Sequence, residues 1–216
     1  MTEHIDNNRI HNDLRYRFDY ISKFLNFTQN DIKLLNTLAS IIFPRIPVLV
    51  DNVYRKLFSY DITKQHFILR NQGFENIAAI KDNNLTIDSA QMTLRKDMLS
   101  MYLKRILTQT EWNDAFLQYL SQVGQIHASK TGARAINVDY MHINVLFGYI
   151  EHLLVDTLWT IENLDDKTKH DMIMAINKLF WIQNDIFTMH YGMSTKDKSL
   201  SIDTTKIKPK RCWLFN

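Results

Sequence analysis

The residue whose type and setting most invite chemistry is His127, in the stretch YLSQVGQIHASKTG, residues 119–132. Phe116, Leu120, Val123 and His127 recur at spacings of four, three and four, which puts the imidazole on the apolar stripe of a helix, one turn before its Ser-Lys-Thr-Gly end. Two chemistries fit that position. A core histidine has both ring nitrogens satisfied by neighbours, whereas a neutral imidazole entering an apolar cavity is how haem iron is commonly held. Spacing alone leaves both open.

Other constellations lose their supports. A di-iron bundle needs two Glu-x-x-His repeats and two further carboxylates, and the nearest approach is the single Asp139-Tyr140-Met141-His142. The chain has no His-Glu-x-x-His, Cys-x-x-Cys, Gly-x-x-x-x-Gly-Lys or Gly-x-Gly-x-x-Gly, and no Gly-x-Ser-x-Gly elbow. Hydrolase, nucleotide-binding and dinucleotide-binding classes are therefore not indicated. The single Cys212 rules out an intrachain disulfide and a multi-thiolate zinc site, and fits a reducing, cytoplasmic setting.

The elements that must position these residues are helical. With 216 residues and 45% apolar content the chain can bury one large core, and its few breakers, five Gly and Pro at 44, 47 and 209, point to an all-α domain. Lys plus Arg exceed Asp plus Glu by three, but the cations are scattered and the densest group is Lys206 to Arg211, so no nucleic-acid stripe crosses the body of the protein. MTEHIDNNRIHNDLRYRF lacks the apolar core of a signal peptide. The apolar run 143–161 carries Glu151, His152 and Asp156, which argues against a membrane span.

Periodicity predicts seven or so helices and no strand. An N-terminal arm spans 12–25, and a helix follows over 28–43 with Ile32, Leu35, Leu38, Ile41 and Ile42 inward and Thr28 or Asn30 as cap. Pro44 and Pro47 end it and open the next, 46–61, with Val50, Val53 or Tyr54, and Leu57 or Phe58 inward. Residues 71–84, NQGFENIAAIKDNN, suggest loops and a short helix. A long helix over 86–109, begun by Thr86 or Asp88, carries Leu94, Met98, Met101, Tyr102 and Ile106 on one side. The His127 helix starts at Thr110 or Asn113. Two more follow: 138–161 with Ile143, Phe147, Ile150 and Leu154, and 165–192 with Ile173, Ile176 or Asn177, Phe180 and Phe187, ended by Gly192. The domain is thus 1–192, and the polar tail 193–216 is expected to be disordered.

Four strings in order carry a resemblance. YLSQVGQIHASKTG followed by INVDYMHINVLFGYIEHLLVD, with DNVYRKLF (51–58) and TLRKDMLSMYL (93–103) before them, is similar to the protoglobin and globin-coupled-sensor family over about residues 10–192. The resemblance implies a globin fold with an extra N-terminal helix, a b-type haem, His127 as proximal iron ligand, and a sixth position open to a diatomic gas: O2, with NO or CO as further candidates. It implies that Tyr54 is the distal tyrosine, whose hydroxyl can donate to bound oxygen, worth on the order of 1–3 kcal/mol in a low-dielectric pocket; the alternative is a core Tyr with its hydroxyl at the surface. Val53 stands where relatives carry a bulky aromatic, leaving a roomier pocket. Thr93, Leu94 and Met98 fall on the helix expected to cross the haem face; Thr93 would be a second donor or would bond back to its own helix, and Met98 would be packing.

Arg95, Lys96, Lys130 and Arg134 could neutralise haem propionates or stay solvated, and His66 could meet a propionate or the sixth site. His142 and His152 suit surface or interface positions; His4, His11, His170 and His190 have no constellation. The first functional reading is a gas sensor or oxygen binder, paired as a homodimer through the last two long helices. The second is a haem enzyme acting on NO, nitrite or peroxide with an external reductase, since no flavin or nicotinamide motif is present. The third is a haem-free helical interaction domain. The sequence stops about 24 residues after the last helix, short of a methyl-accepting, kinase or cyclase module, so a single-domain member is expected. In KIKPKRCWLFN the basic cluster beside Trp213, Leu214 and Phe215 could touch an anionic membrane surface, and Cys212, fifth from the end, misses a prenylation box.

Overall fold

The N-terminal arm is two helices, α1 (Asn7–Asn12) and α2 (Leu14–Phe24), because Asp13 between them adopts φ −119, ψ 102 and accepts from Tyr16 N at 3.0 Å, capping the second. The computed structural model describes residues 2–68, 85–129 and 136–194. Among these residues seven further α-helices follow, α3 (Gln29–Ile42), α4 (Ile46–Phe58), α5 (Asp61–Ile68), α6 (Ala90–Thr108), α7 (Asp114–Ala128), α8 (Tyr140–Trp159) and α9 (Asp166–Ser194), with no strand. The fold is all-α, as the periodicity predicts. The string 71–84 and the tail from 195 onward lie outside the described residues, and α9 continues past Gly192 to Ser194.

Thr28 opens α3 through a capping box. Asp31, buried, accepts from Thr28 N at 2.7 Å with one oxygen and from Lys178 Nζ of α9 at 2.8 Å with the other. Pro44, in the 3-10 turn Phe43–Arg45, and Pro47, in the first turn of α4, separate α3 from α4. A window within 29–58 reaches a mean hydropathy of 1.4 and is apolar enough to cross a membrane by composition. It is two helices rather than one rod, and its Leu35, Leu38, Ile42, Ile46, Leu49 and Val50 are core residues.

α9 is the axis of the domain, packing on α3, α7 and α8 through Ala175, Ile176, Leu179, Ile182 and Ile186. From α8 it receives Ile143, Phe147, Ile150 and Leu154, the four residues its period singles out, all buried. α6 departs from expectation. Its buried residues are Met92, Leu103, Ile106 and Leu107, while Leu94, Met98 and Met101 are 42%, 58% and 61% exposed. The first half of α6 has apolar residues on two stripes, so a 3.6-residue period describes either; contact with α3 and α4 decides which one is covered.

α6 and α7 do not pack along their lengths among the described residues; they meet at their linked ends, where the Tyr102 and Tyr119 rings lie 6.3 Å apart and the Arg105 guanidinium sits 3.6 Å over Tyr119. α2 braces that corner. Phe18 stacks on Trp112 at 5.5 Å, Arg15 reaches Trp112 O and Asp114, and Arg17 makes a two-pronged bond to Asp185 of α9, 2.6 Å on each side. The extra N-terminal helix thus fixes the origin of the helix that carries His127.

Candidate functional site around His127 and Tyr54

α7 starts at Asn113, whose side chain accepts from Phe116 N at 3.1 Å. In the last turn of the helix, next to its final residue Ala128, stands His127, half-buried. Its Nδ1 is 2.8 Å from the Val123 carbonyl one turn back. A carbonyl only accepts, so Nδ1 carries the proton, and in the neutral ring the lone pair is on Nε2. The ring lies against Phe187 of α9, centroids 5.5 Å apart. An imidazole oriented through Nδ1–H and able to coordinate through Nε2 is the form in which a histidine serves as an axial metal ligand. Beyond residues 130–135 the chain returns to the same turn, Ile136 N and Val138 N donating to Ile126 O and His127 O at 2.8 and 3.0 Å.

α7 approaches α9 closely at Gly124. A Cβ there would stand 3.2 Å from Phe187 Cα and 3.1 Å from His190 Cδ2. One turn earlier Ser121 Oγ, buried, is hydrogen-bonded to His190 Nε2 at 2.9 Å. Burial pushes His190 below the ordinary histidine value of 6.5. His190 has no constellation in the sequence, yet the fold sets it beneath the His127 helix. The available signal was the small pair Ser121 and Gly124, which marks a close approach without naming the partner.

On α4, Val53 and Tyr54 are both buried. The Tyr54 hydroxyl donates to Arg95 O of α6 at 3.0 Å, and burial raises its pKa to about 12, so it stays protonated. Phe67 of α5 lies 5.9 Å from the Tyr54 ring, and the Arg95 guanidinium sits 5.2 Å over Phe67, its pKa lowered by burial. Tyr54 is therefore gathered with α5 and the first half of α6, and His127 with α9. Thr93 is exposed and its hydroxyl bonds back to Ser89 O at 3.3 Å. Leu94 and Met98 form, with Met101, the open apolar stripe of α6; Met98 is not a core filler.

Of the four candidate cations, Lys96 is held by Asp51 at 2.7 Å, Arg95 is stacked on Phe67, and Lys130 and Arg134 lie outside the described residues. His66 meets His142, rings 5.9 Å apart, and burial together with His142 holds it below 6.5. His152 stacks with Tyr149. Among the described residues no group of three or more His, Cys, Asp or Glu is placed to hold a bare metal ion.

The two depressed histidines make acid destabilising. Near neutral pH both are uncharged in folded and unfolded chains alike; below 6.5 the unfolded chain takes up protons that the folded one resists, so stability falls as pH drops from 6.5 through their folded values. Thermal melts between pH 7.5 and 5 should show this fall, and His66→Gln and His190→Gln should each flatten it. An unchanged slope in both variants would rule these residues out as its source.

The chain matches the Protoglobin family over residues 14–197. No curated protein sequence matches it. Its fold is similar to that of the globin domain of a Geobacter sulfurreducens globin-coupled sensor, with a TM-score of 0.61, 15% identity, and coverage of 80% of this chain and 96% of that one. With a match that runs from α2 to beyond α9, this chain belongs to the protoglobin family.

Proposed function

We propose that this protoglobin binds a diatomic gas, O2 first, at a b-type haem whose proximal ligand is His127. The observation that carries the reading is the His127 ring, whose Nδ1–H is fixed on Val123 O so that Nε2 is the coordinating nitrogen. The donor set fits a haem: one neutral imidazole beside Phe187, and an uncovered apolar stripe of Leu94, Met98 and Met101 able to lie against a porphyrin. When bound, the haem supplies an iron with a sixth position for the gas. The protein residues set its surroundings. Val53 adds little bulk beside Tyr54, Arg95 is a cation that could pair with a propionate, and the Tyr54 hydroxyl is a donor that must leave Arg95 O to reach a ligand.

Ferric, ferrous and CO-treated spectra of the purified protein test the reading; no Soret band after haem addition would end it and favour a haem-free interaction domain. Tyr54→Phe removes the distal donor and should speed O2 dissociation by about one to two orders of magnitude with CO little changed, the equivalent of one hydrogen bond to a partly charged ligand. Equal O2 rates would place the hydroxyl permanently on Arg95 O. Mixing the oxygenated protein with NO in the presence of a reductase separates binder from enzyme: stoichiometric oxidation supports the former, sustained turnover the latter.

The reading includes signalling through a homodimer. Met141, Val145 and Trp159 of α8 and Met174 and Trp181 of α9 are large apolar side chains left exposed on the last two helices, a composition suited to a two-fold seam whose packing a ligand could shift. Light scattering of Val145→Glu should report a monomer where the unaltered protein is dimeric. Cys212 as the single thiol suits a cytoplasmic setting, and residues 1–192 are the haem domain of this proposal.

A further inference from the structure

One short segment of α9 packs against the His127 turn of α7. Phe187 packs its ring on the imidazole at 5.5 Å, and it is itself fixed from behind by Phe147 of α8, edge-on at 4.8 Å. One turn along, His190 is hydrogen-bonded to the buried Ser121 Oγ. Between these two anchor points the backbones are drawn together at Gly124, where any side chain would press on Phe187 Cα and His190 Cδ2. Val123 O, which holds the imidazole Nδ1, belongs to the residue next to Gly124. The carbonyl that orients the ring is thus part of the same turn that α9 clamps.

The geometry points to His190 and Phe187 as the positioning residues of the His127 imidazole: the Ser121–His190 bond and the Gly124 contact set the rotation of α7, and Phe187 sets the plane of the ring. Both act through His127 and its helix. The consequence is mechanical. A displacement of the His127 ring is passed to α9 through Phe187, and α9 is the helix on which α3, α7 and α8 all pack. This inference rests on the haem reading for its spectroscopic consequence but not for the clamp itself.

Two arms keep those apart. In the haem-free full-length protein, amide exchange over 121–128 should quicken roughly tenfold in Ser121→Ala and His190→Ala, the equilibrium value of one net hydrogen bond, while α8 is unchanged. The ¹⁵N shifts of the His127 ring should move from a single Nδ1–H tautomer toward a mixture in Phe187→Ala. In the haem-loaded ferrous protein, the iron–histidine stretching band should shift in Ser121→Ala, His190→Ala and Phe187→Leu. His190→Gln, which can still bond Ser121, should restore both signals. Should haem fail to bind the unaltered protein, the proposed function falls while the exchange and tautomer arm still decides the clamp. Folded variants with unaltered exchange, tautomer and stretching band overturn the inference. So does His190→Gln behaving like His190→Ala, since filling space would then account for the residue.

Discussion

Replacing His127 by alanine is expected to abolish the Soret band of the haem-reconstituted protein, and millimolar imidazole to bring most of it back. The substitution removes a ring whose Nδ1–H is held on a backbone carbonyl of its own helix, and with it the pre-set Nε2 donor. Alanine is the best helix former, so α7 keeps its course, and the Ser121–His190 and Gly124 contacts one and two turns back are untouched. The hole left is imidazole-shaped and bounded by Phe187, which is why free imidazole can occupy it. Haem affinity should drop by more than the roughly 10–100-fold typical of losing a mere supporting hydrogen bond around a metal. Titration with haem, followed by absorbance, reads this directly. A spectrum in His127→Ala indistinguishable from the unaltered protein would remove His127 from the iron.

The largest expected change in stability follows from Asp31→Ala. Asp31 caps α3 through Thr28 N and, through its other oxygen, neutralises Lys178 of α9, whose ammonium also donates to Asn26 O. The side chains are 7% and 19% exposed, so the pair is shielded from water on the carboxylate side and mostly on the ammonium side. Cutting one member of such a pair leaves an uncompensated charge and costs about 3–5 kcal/mol, to which the lost cap adds about 1 kcal/mol. Urea midpoints of Asp31→Ala, Lys178→Met and the double variant form a cycle. The double variant should lose well under the sum of the two single losses, because removing both charges leaves no orphan. Strict additivity would show that the two groups do not interact in solution.

The caps at Thr28 and Asn113, the break at Pro44 and Pro47, the inward stripe of α8 and the place of His127 in the last turn of α7 all follow from local chemistry, since a cap, a ring-locked φ or a 3.6-residue period is written in a dozen neighbouring residues. The split of the arm at Asp13 was equally local but ambiguous, because Asp serves both as a helix residue and as a cap.

Residue order by itself determined the helical class, the break at Pro44 and Pro47, and the place of His127 on the apolar stripe of a helix near its end. Only the folded chain decided which of the two apolar stripes of α6 is covered, that the Tyr54 hydroxyl rests on Arg95 O, and that His190 lies under Ser121, 69 positions away. The reason is physical. Periodicity reports that a face is apolar but carries no information about which neighbour covers it, and a hydroxyl or imidazole shows its partner only after distant helices have been packed together.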